Sequence, residues 1–150
     1  MPHTRRQWIA SAVTALLTIL MVSTFRVAVV HGSSMAPTFV DGQMVVVSRI
    51  LWPRGIRRGN VVLIRRGNSV LIKRVFRLPG EVLDRKTAAR FTAAMDFFEP
   101  TGKHDAPLRV PKGQIVVLGD NLAVSDDSRE FGPVPLRDVL GKVLGAPPPS

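Results

Sequence analysis

The feature that most constrains this chain is a long uncharged run close to its N-terminus. Residues 8–25, WIASAVTALLTILMVSTF, carry no charge over 18 positions. As a helix rising roughly 1.5 Å per residue, the run would reach about 27 Å, enough to cross the hydrocarbon core of a bilayer. Because Arg5 and Arg6 precede the run and Arg26 ends it, we predict a retained transmembrane anchor.

The charges beside the run predict its orientation. A basic N-terminus favours a cytoplasmic start, and a long downstream domain is then exported largely regardless of its own charge. The twin arginine of TRRQW also allows a cleavable export signal, but residues 24–32 hold no convincing small-x-small cleavage site. We therefore expect a single-pass protein of the cell (inner) membrane, with a cytoplasmic N-terminus and the main domain on the exported side.

The chain divides into three predicted parts. Residues 1–30 form a cytoplasmic stub and the anchor, and residues 31–145 form one β-rich domain of ordinary size. Residues 146–150, APPPS, are expected to be a disordered tail, because consecutive prolines do not support regular structure. The sequence has no internal repeat.

Composition narrows the partners and the chemistry. Lys and Arg number 21 against 11 Asp and Glu, a surplus that favours contact with nucleic acid or anionic lipid. Without cysteine there is no disulfide or thiol nucleophile, so the chemistry must come from Ser, Thr, Lys, His or carboxylates. The acids of residues 120–127 lack the spacing of a calcium loop, and we expect neither metal nor cofactor.

Beyond Val30 the pattern changes to short β-branched runs separated by turn residues, which is typical of a mainly β domain. The predicted strands are residues 44–50, 60–65, 69–76, 114–118 and 139–144. Gly67, between Arg66 and Asn68, predicts a tight hairpin between the second and third of them.

One short helix is predicted near residues 85–98. Phe91, Met95 and Phe98 recur there at i, i+4 and i+7, which predicts a stripe facing the core. A helix lying on the membrane surface is the alternative.

A serine acts as a nucleophile only where a base can remove its proton. The segment HGSSMAPTF, just beyond the anchor, offers two adjacent serines, Ser33 and Ser34. His3 precedes the anchor and His31 is too close along the chain to reach Ser34. A triad with His104 and Asp105 is disfavoured, because adjacent His and Asp side chains on a loop rarely align.

Lys73 is the other candidate base, inside the strand-like run SVLIKRVF. A period of two places Lys73 on one face with Leu71 and Val75. Burial among such neighbours disfavours the charged ammonium and lowers its pKa, which would make Lys73 a usable base near neutral pH. In the alternative, the strand is half exposed and the lysine head reaches water.

Three motifs occur in order and resemble those of type I signal peptidases, membrane-anchored Ser/Lys proteases that remove signal peptides. They are SMAPT at 34–38, KRV at 73–75 followed by LPGE at 78–81, and GDN at 119–121 followed by SDDSR at 125–129 and GPV at 132–134. The resemblance runs over nearly the whole chain. It implies a signal-peptidase-like β-barrel or sandwich domain on one transmembrane helix.

The resemblance also implies catalytic roles. Ser34 would be the nucleophile, Lys73 the general base, and Ser125 the residue that orients the lysine. Asp127 and Arg129 would form a supporting ion pair, to which we give a structural role.

The oxyanion hole departs from some members of the family, which carry a serine at the position of Gly32. The oxyanion must then rely on backbone N–H groups, chiefly that of Ser34. Ser33 is a weak candidate helper.

The resemblance implies substrate recognition by strand addition. An extended peptide would lie between the segments that precede Ser34 and Lys73, with Met35, Leu71 and Ile72 in contact with it. The expected partners are precursor proteins carrying signal peptides and membrane lipid, with anionic phospholipid favoured; no nucleic acid is expected.

Four positions depart from the family pattern. Gln43, Asn60 and Glu81 stand at turn positions where the family often has aspartate, and we interpret them as structural drift. Arg77 stands where glycine is common and could alter the turn that follows the base strand.

Two other functions remain as alternatives. The first is a specialised protease of the same family, dedicated to one precursor, conjugation-related, or of an organellar inner-membrane type. The remote second is a membrane-tethered nucleic-acid-binding β-barrel, which would use the basic surface but lacks aromatics interleaved with basic residues.

Overall fold

A computed structural model describes residues 5–49, 55–100 and 107–148, and it opens with one long helix, α1 (Arg5–Thr24). None of its residues is buried, and it is long and apolar enough to cross a membrane. The hydroxyls of Thr14, Thr18 and Thr24 donate to carbonyls four residues earlier, at 3.0, 2.9 and 2.6 Å. These bonds satisfy the three threonine hydroxyls within the helix, as an apolar environment requires.

The rest of the described chain is mainly β, as predicted. The strands are β1 (Phe25–Val29), β2 (Met44–Ser48), β3 (Val61–Arg66), β4 (Ser69–Arg77), β5 (Val82–Leu83), β6 (Glu99–Pro100), β7 (Leu108–Arg109), β8 (Gln114–Leu118), β9 (Val134–Pro135) and β10 (Val139–Val143). Seven of them form an antiparallel sheet in the order β1-β2-β10-β3-β4-β8-β9. A small second sheet has the order β5-β7-β6.

The five predicted strands correspond to β2, β3, β4, β8 and β10, and the predicted hairpin joins β3 to β4 through Gly67 at φ +56°. Strand β1 was not predicted. It pairs with β2 from Phe25 opposite Ser48 to Val29 opposite Met44.

The boundary between anchor and domain therefore differs from the prediction at residue 30. The helix ends at Thr24, and Phe25–Val29 belong to the sheet. An apolar strand that directly follows an apolar helix has no composition change to mark the boundary, which is why the sequence pattern merged them.

The predicted helical region is two short pieces, α2 (Arg85–Ala88) and a 3₁₀ segment over Ala89–Phe97. Phe91 and Phe98 are buried as predicted, with their ring centroids 5.5 Å apart in an edge arrangement. Met95 is 45% exposed, so its place in the core stripe was wrong. The tighter 3₁₀ turn brings Ala94 into the core instead.

The predicted disordered tail is anchored over its described part. The carbonyl of Pro147 accepts a 2.9 Å hydrogen bond from the buried Arg74 guanidinium, and Ala146 packs against a buried cluster of the main sheet. Proline cannot donate a backbone hydrogen bond but its carbonyl still accepts one, so the composition was a poor guide here. Residues 149–150 lie outside the described part.

Candidate active site

Ser34 and Lys73 meet in space although they are far apart in sequence. Ser34 lies in the loop between β1 and β2, and Lys73 lies in the middle of β4. Lys73 Nζ is 3.0 Å from Ser34 Oγ, within hydrogen-bonding distance. The loop is held by a hydrogen bond from Phe39 N–H to the Met35 carbonyl at 2.9 Å, and both of these residues are buried.

The surroundings of Lys73 favour its neutral form. The residue is 3% exposed, and this burial lowers the pKa of Lys73 below its ordinary value of 10.5. The carboxylates of Asp127 and Asp126 oppose the shift, and Arg129 adds to it. The structure agrees with the prediction that Lys73 is buried on a strand, β4. Burial is also the largest influence on the pKa of this amine.

The loop that follows β8 contacts the backbone of Ser34. Asn121 N–H donates to the Ser34 carbonyl at 2.9 Å. A Cβ built on Gly119 would overlap the Ser125 side chain and lie 2.5 Å from the Ser34 carbonyl oxygen. Only glycine therefore allows the loops that carry Ser34 and Ser125 to approach this closely.

Ser125 lies beside this contact but makes no bond to the lysine. Its hydroxyl is buried and has no partner of hydrogen-bonding geometry within the described ranges, although it lies near enough to Asp127 to help lower the pKa of that carboxyl. Our expectation that Ser125 bonds Lys73 is thus not met in this structure. The hydroxyl of Ser125 is therefore not committed to Lys73 in this structure.

The expected ion pair of Asp127 and Arg129 is present. Asp127 is fully buried, caps α3 (Ser128–Phe131), and accepts from Arg129 Nε at 2.8 Å and from Gly119 N–H at 3.0 Å. Burial alone would raise the pKa of Asp127, but the hydrogen bonds from Arg129 and Gly119 outweigh it and hold the pKa below its usual value. The pair fixes the loop that carries Gly119 and Ser125.

A second buried ion pair was missed by the sequence analysis. Arg74 contacts Asp120 with two hydrogen bonds, Nε to Oδ1 at 2.8 Å and Nη2 to Oδ2 at 2.7 Å. Its guanidinium also donates to the carbonyls of Gly59 and Pro147 and lies 3.4 Å from the Thr38 hydroxyl. One side chain thus joins β4 to the loop that carries Ser34, to the loop after β8 and to the segment around Pro147.

An apolar cleft of about 280 Å³ leads to the Ser34–Lys73 contact. Residues of β1 line one wall, and Leu71 and Ile72 of β4 line the other. Met35 is fully buried beneath the site and does not line the cleft, so its predicted contact with substrate is corrected. Its side chain packs with Phe39 and Ile72 in the core, because the loop turns the residue after Ser34 inward.

The other candidates near Ser34 are exposed. Gly32 has φ +81°, a conformation that favours glycine, and its N–H donates to Asp41 Oδ1 at 2.7 Å. Ser33 and His31 are exposed, and the side-chain hydrogen bond that Lys73 donates goes to Ser34. His104 and Asp105 lie outside the described residues.

Among the residues that are described, no group of three or more His, Asp or Glu side chains could hold a metal ion.

Three of the four departures from the family pattern keep a turn hydrogen bond. Each side-chain oxygen accepts from a backbone N–H three residues earlier: Gln43 from Val40 at 3.1 Å, Asn60 from Arg57 at 3.0 Å, and Glu81 from Leu78 at 2.7 Å. Their interpretation as structural drift is consistent with these contacts.

Arg77, the fourth departure, sits at a register shift between β4 and β8. Its guanidinium stacks on the Phe76 ring, 4.0 Å from the centroid, and Nη1 donates to the Phe76 carbonyl at 3.0 Å. The large cation is accommodated by this stacking at the end of the strand.

A hydroxyl that touches a desolvated amine, at the end of an apolar cleft, has the geometry of a serine hydrolase whose base is lysine. The chain belongs to the signal peptidase family, peptidase S26, whose family model matches residues 5–93 and 82–145. The resemblance drawn from the three motifs is thereby confirmed.

Individual relatives agree with this membership. The chain is 32% identical to signal peptidase IB of Staphylococcus aureus over 91% of its own length and 86% of that protein. It is 32% identical to signal peptidase I of Bacillus caldolyticus, over 92% and 87% of the two chains. A crystal structure of a signal peptidase I from Enterococcus faecalis is 27% identical with a TM-score of 0.41, covering 58% of this chain and 95% of that one.

Proposed function

We propose that this protein is a membrane-bound serine endopeptidase that removes N-terminal signal peptides from exported proteins, with Ser34 as nucleophile and Lys73 as general base. The observation that carries the proposal is the 3.0 Å contact between Lys73 Nζ and Ser34 Oγ, with the amine buried and its pKa lowered. Membership of the signal peptidase family supports the reaction and the substrate class.

The reaction is acyl transfer in two stages. Neutral Lys73 takes the Ser34 proton as Oγ attacks the scissile carbonyl, and the ammonium then gives that proton to the departing amine as the C–N bond breaks. The signal peptide stays on Ser34 as an ester. Lys73 next removes a proton from water, the resulting hydroxide attacks the ester, and the proton returns to Ser34 Oγ.

Stabilisation of the oxyanion is assigned to backbone donors, chiefly the N–H of Ser34, because Gly32 has no side chain to contribute. Ser125 is proposed to orient Lys73 once substrate tightens the site, using its buried hydroxyl, which has no partner of hydrogen-bonding geometry in the part of the chain that the structure describes. Catalytic hydrogen bonds often form fully only in the substrate complex.

Substrate is proposed to bind as an added strand between β1 and β4. Strand β1 ends the main sheet and pairs with β2 on one side alone. Strand β4 pairs with β8 only from Arg74 onward, so its residues before Arg74 have one edge without a strand partner in the described chain. Residues of both strands line the apolar cleft, where main-chain pairing would give affinity and Leu71 and Ile72 would restrict the substrate to small side chains.

The membrane anchor is proposed to place this site at the bilayer surface. The cleft lies beside β1, which follows α1 without an intervening loop. With the N-terminus in the cytoplasm, the catalytic domain lies on the exported side of the inner membrane, where the cleavage point of a signal peptide emerges.

Cleavage should depend on pH through Lys73. Only the neutral amine accepts the proton, so kcat/KM should rise with pH up to the lowered pKa of Lys73 and fall about tenfold per pH unit below it. The unfolded chain, whose lysine keeps the ordinary value of 10.5, binds more protons between the two pKa values, so the stability of the fold should also rise with pH there. Initial rates of precursor cleavage across pH test the first statement; a rate that falls as pH increases through the neutral range would contradict it.

The test of the function is reconstitution of the full chain in liposomes with a precursor carrying a signal peptide. We expect one cut after a small-x-small sequence, identified from the intact mass and N-terminal sequence of the product. A panel of unrelated precursors separates a general signal peptidase, which cuts most of them, from the alternative of a dedicated protease, which cuts one. Failure to cut any precursor would remove the proposed activity.

A further inference from the structure

Four arginines gather at the edge of the main sheet where the anchor helix ends. The antiparallel order brings together the start of β1, the end of β2, the end of β3 and the start of β10. An exposed arginine lies within two residues of each of these four strand ends. The four are Arg26, Arg49, Arg65 and Arg137. Together with Val139 and Leu140 they line a cleft of about 570 Å³.

This arginine cluster has no acidic counterpart. None of the ion pairs found within residues 5–49, 55–100 and 107–148 uses any of its four guanidiniums. Asp138, the nearest acidic residue in sequence, is partly buried and lines a separate groove with Arg66 and Phe131. Four neighbouring positive charges repel one another, so an arrangement of this kind is suited to an anionic ligand.

The cluster is joined directly to the anchor. Arg26 is the second residue after α1, and the backbone N–H of Arg49 donates to the carbonyl of Thr24, the last residue of the helix, at 3.0 Å. With α1 across the bilayer, these contacts hold the cluster at the level of the lipid headgroups. Guanidinium groups match phosphate oxygens with paired hydrogen bonds, and the half-buried Leu140 of the cleft can meet the glycerol and upper acyl carbons.

We infer that the cleft formed by Arg26, Arg49, Arg65 and Arg137 is a binding site for the headgroup of an anionic phospholipid. Basic residues at a membrane surface attract anionic lipid, each contributing roughly fivefold to the association constant. The site lies on a different part of the sheet from Ser34 and Lys73, because the two clefts share no residue. The inference therefore stands independently of the proteolytic mechanism.

The experiment uses the full chain in neutral detergent micelles doped with phosphatidylglycerol or phosphatidylcholine, with bound lipid counted by native mass spectrometry. The wild type should retain phosphatidylglycerol in preference to phosphatidylcholine. The double variant Arg49→Gln/Arg137→Gln should bind phosphatidylglycerol about 25-fold more weakly, as two such contributions are lost. Arg49→Lys/Arg137→Lys keeps the charge and should keep most of the affinity.

The matched control is Arg57→Gln/Arg90→Gln, which removes two exposed arginines that do not line this cleft. It should bind phosphatidylglycerol like the wild type, and unchanged thermal unfolding of both double variants shows that each is folded. An equal loss of binding in the control, or displacement of the lipid by soluble glycerol 3-phosphate at millimolar concentration, would overturn the inference. An oligonucleotide that binds the cleft more tightly than the lipid would overturn it as well.

Discussion

Replacing Lys73 with methionine should lower kcat/KM for precursor cleavage by about 10⁴-fold or more, because Lys73 is the group hydrogen-bonded to Ser34 Oγ within the described ranges. The same change should raise the free energy of unfolding at neutral pH. Methionine fills the volume of the lysine stem without burying an amine, and the lowered pKa of Lys73 shows that its charged form is disfavoured in the folded state. The measurements are cleavage in liposomes and denaturant unfolding of the same preparation.

Gain of stability with loss of activity distinguishes a lost base from a damaged fold. Ser34→Ala should lose as much activity as Lys73→Met, and the double variant should lose little more, because the two residues act as one unit. Ser33→Ala is the matched control, since this exposed neighbour does not contact Lys73, and it should keep most of the activity. Full cleavage by Lys73→Met would reject the lysine as base and return attention to His104.

Much of the site could be predicted because its signals are local. The period of two along SVLIKRVF placed Lys73 on a strand with aliphatic neighbours, and β-branched runs between turn residues located five strands. The motif around Ser34 singled out this serine, which the structure places 3.0 Å from Lys73 Nζ. The distance between the two side chains could not be read from any local pattern, because it depends on how the sheet curves to bring the loop after β1 over β4.

The features that the sequence analysis missed also depend on contacts between residues that are distant in the sequence. Strand β1 continues the apolar character of the anchor, so only its pairing with β2 reveals it. Met35 was expected to contact substrate, but side-chain direction in a loop has no fixed period, and this side chain is fully buried. No role was predicted for Arg74, because its partners lie 15 to 73 residues away in sequence.

Arg74→Met should cost about 3–5 kcal/mol of unfolding free energy, the largest stability loss that we expect from one substitution in this protein. The side chains of Arg74 and Asp120 are 7% and 10% exposed, so removal of the cation leaves a buried carboxylate without its partner. Burial alone would raise the pKa of Asp120, but hydrogen bonds from Arg74 and Thr38 hold the pKa below its usual value. Without Arg74 the pKa of Asp120 should rise, so this carboxyl should bind a proton more readily in the variant. The difference in unfolding free energy between the variant and the wild type should therefore shrink as the pH falls. Urea unfolding of the full chain in neutral micelles at two pH values measures both effects.

Arg58→Met is the matched control, because Arg58 forms an ion pair with Glu81 at 2.8 Å but is 54% exposed and should cost less than about 1 kcal/mol. The double variant Arg74→Met/Asp120→Leu should recover part of the lost unfolding free energy. Two apolar side chains then replace the ion pair, and no unpaired carboxylate is left buried. Equal losses in Arg74→Met and Arg58→Met would show that Arg74 does not hold the loops together. A deficit confined to Arg74→Met would instead support a role for this side chain in holding the site together, because its bonds to Asp120 and to the carbonyl of Pro147 join the loop after β8 and the segment after β10 to the strand that carries Lys73.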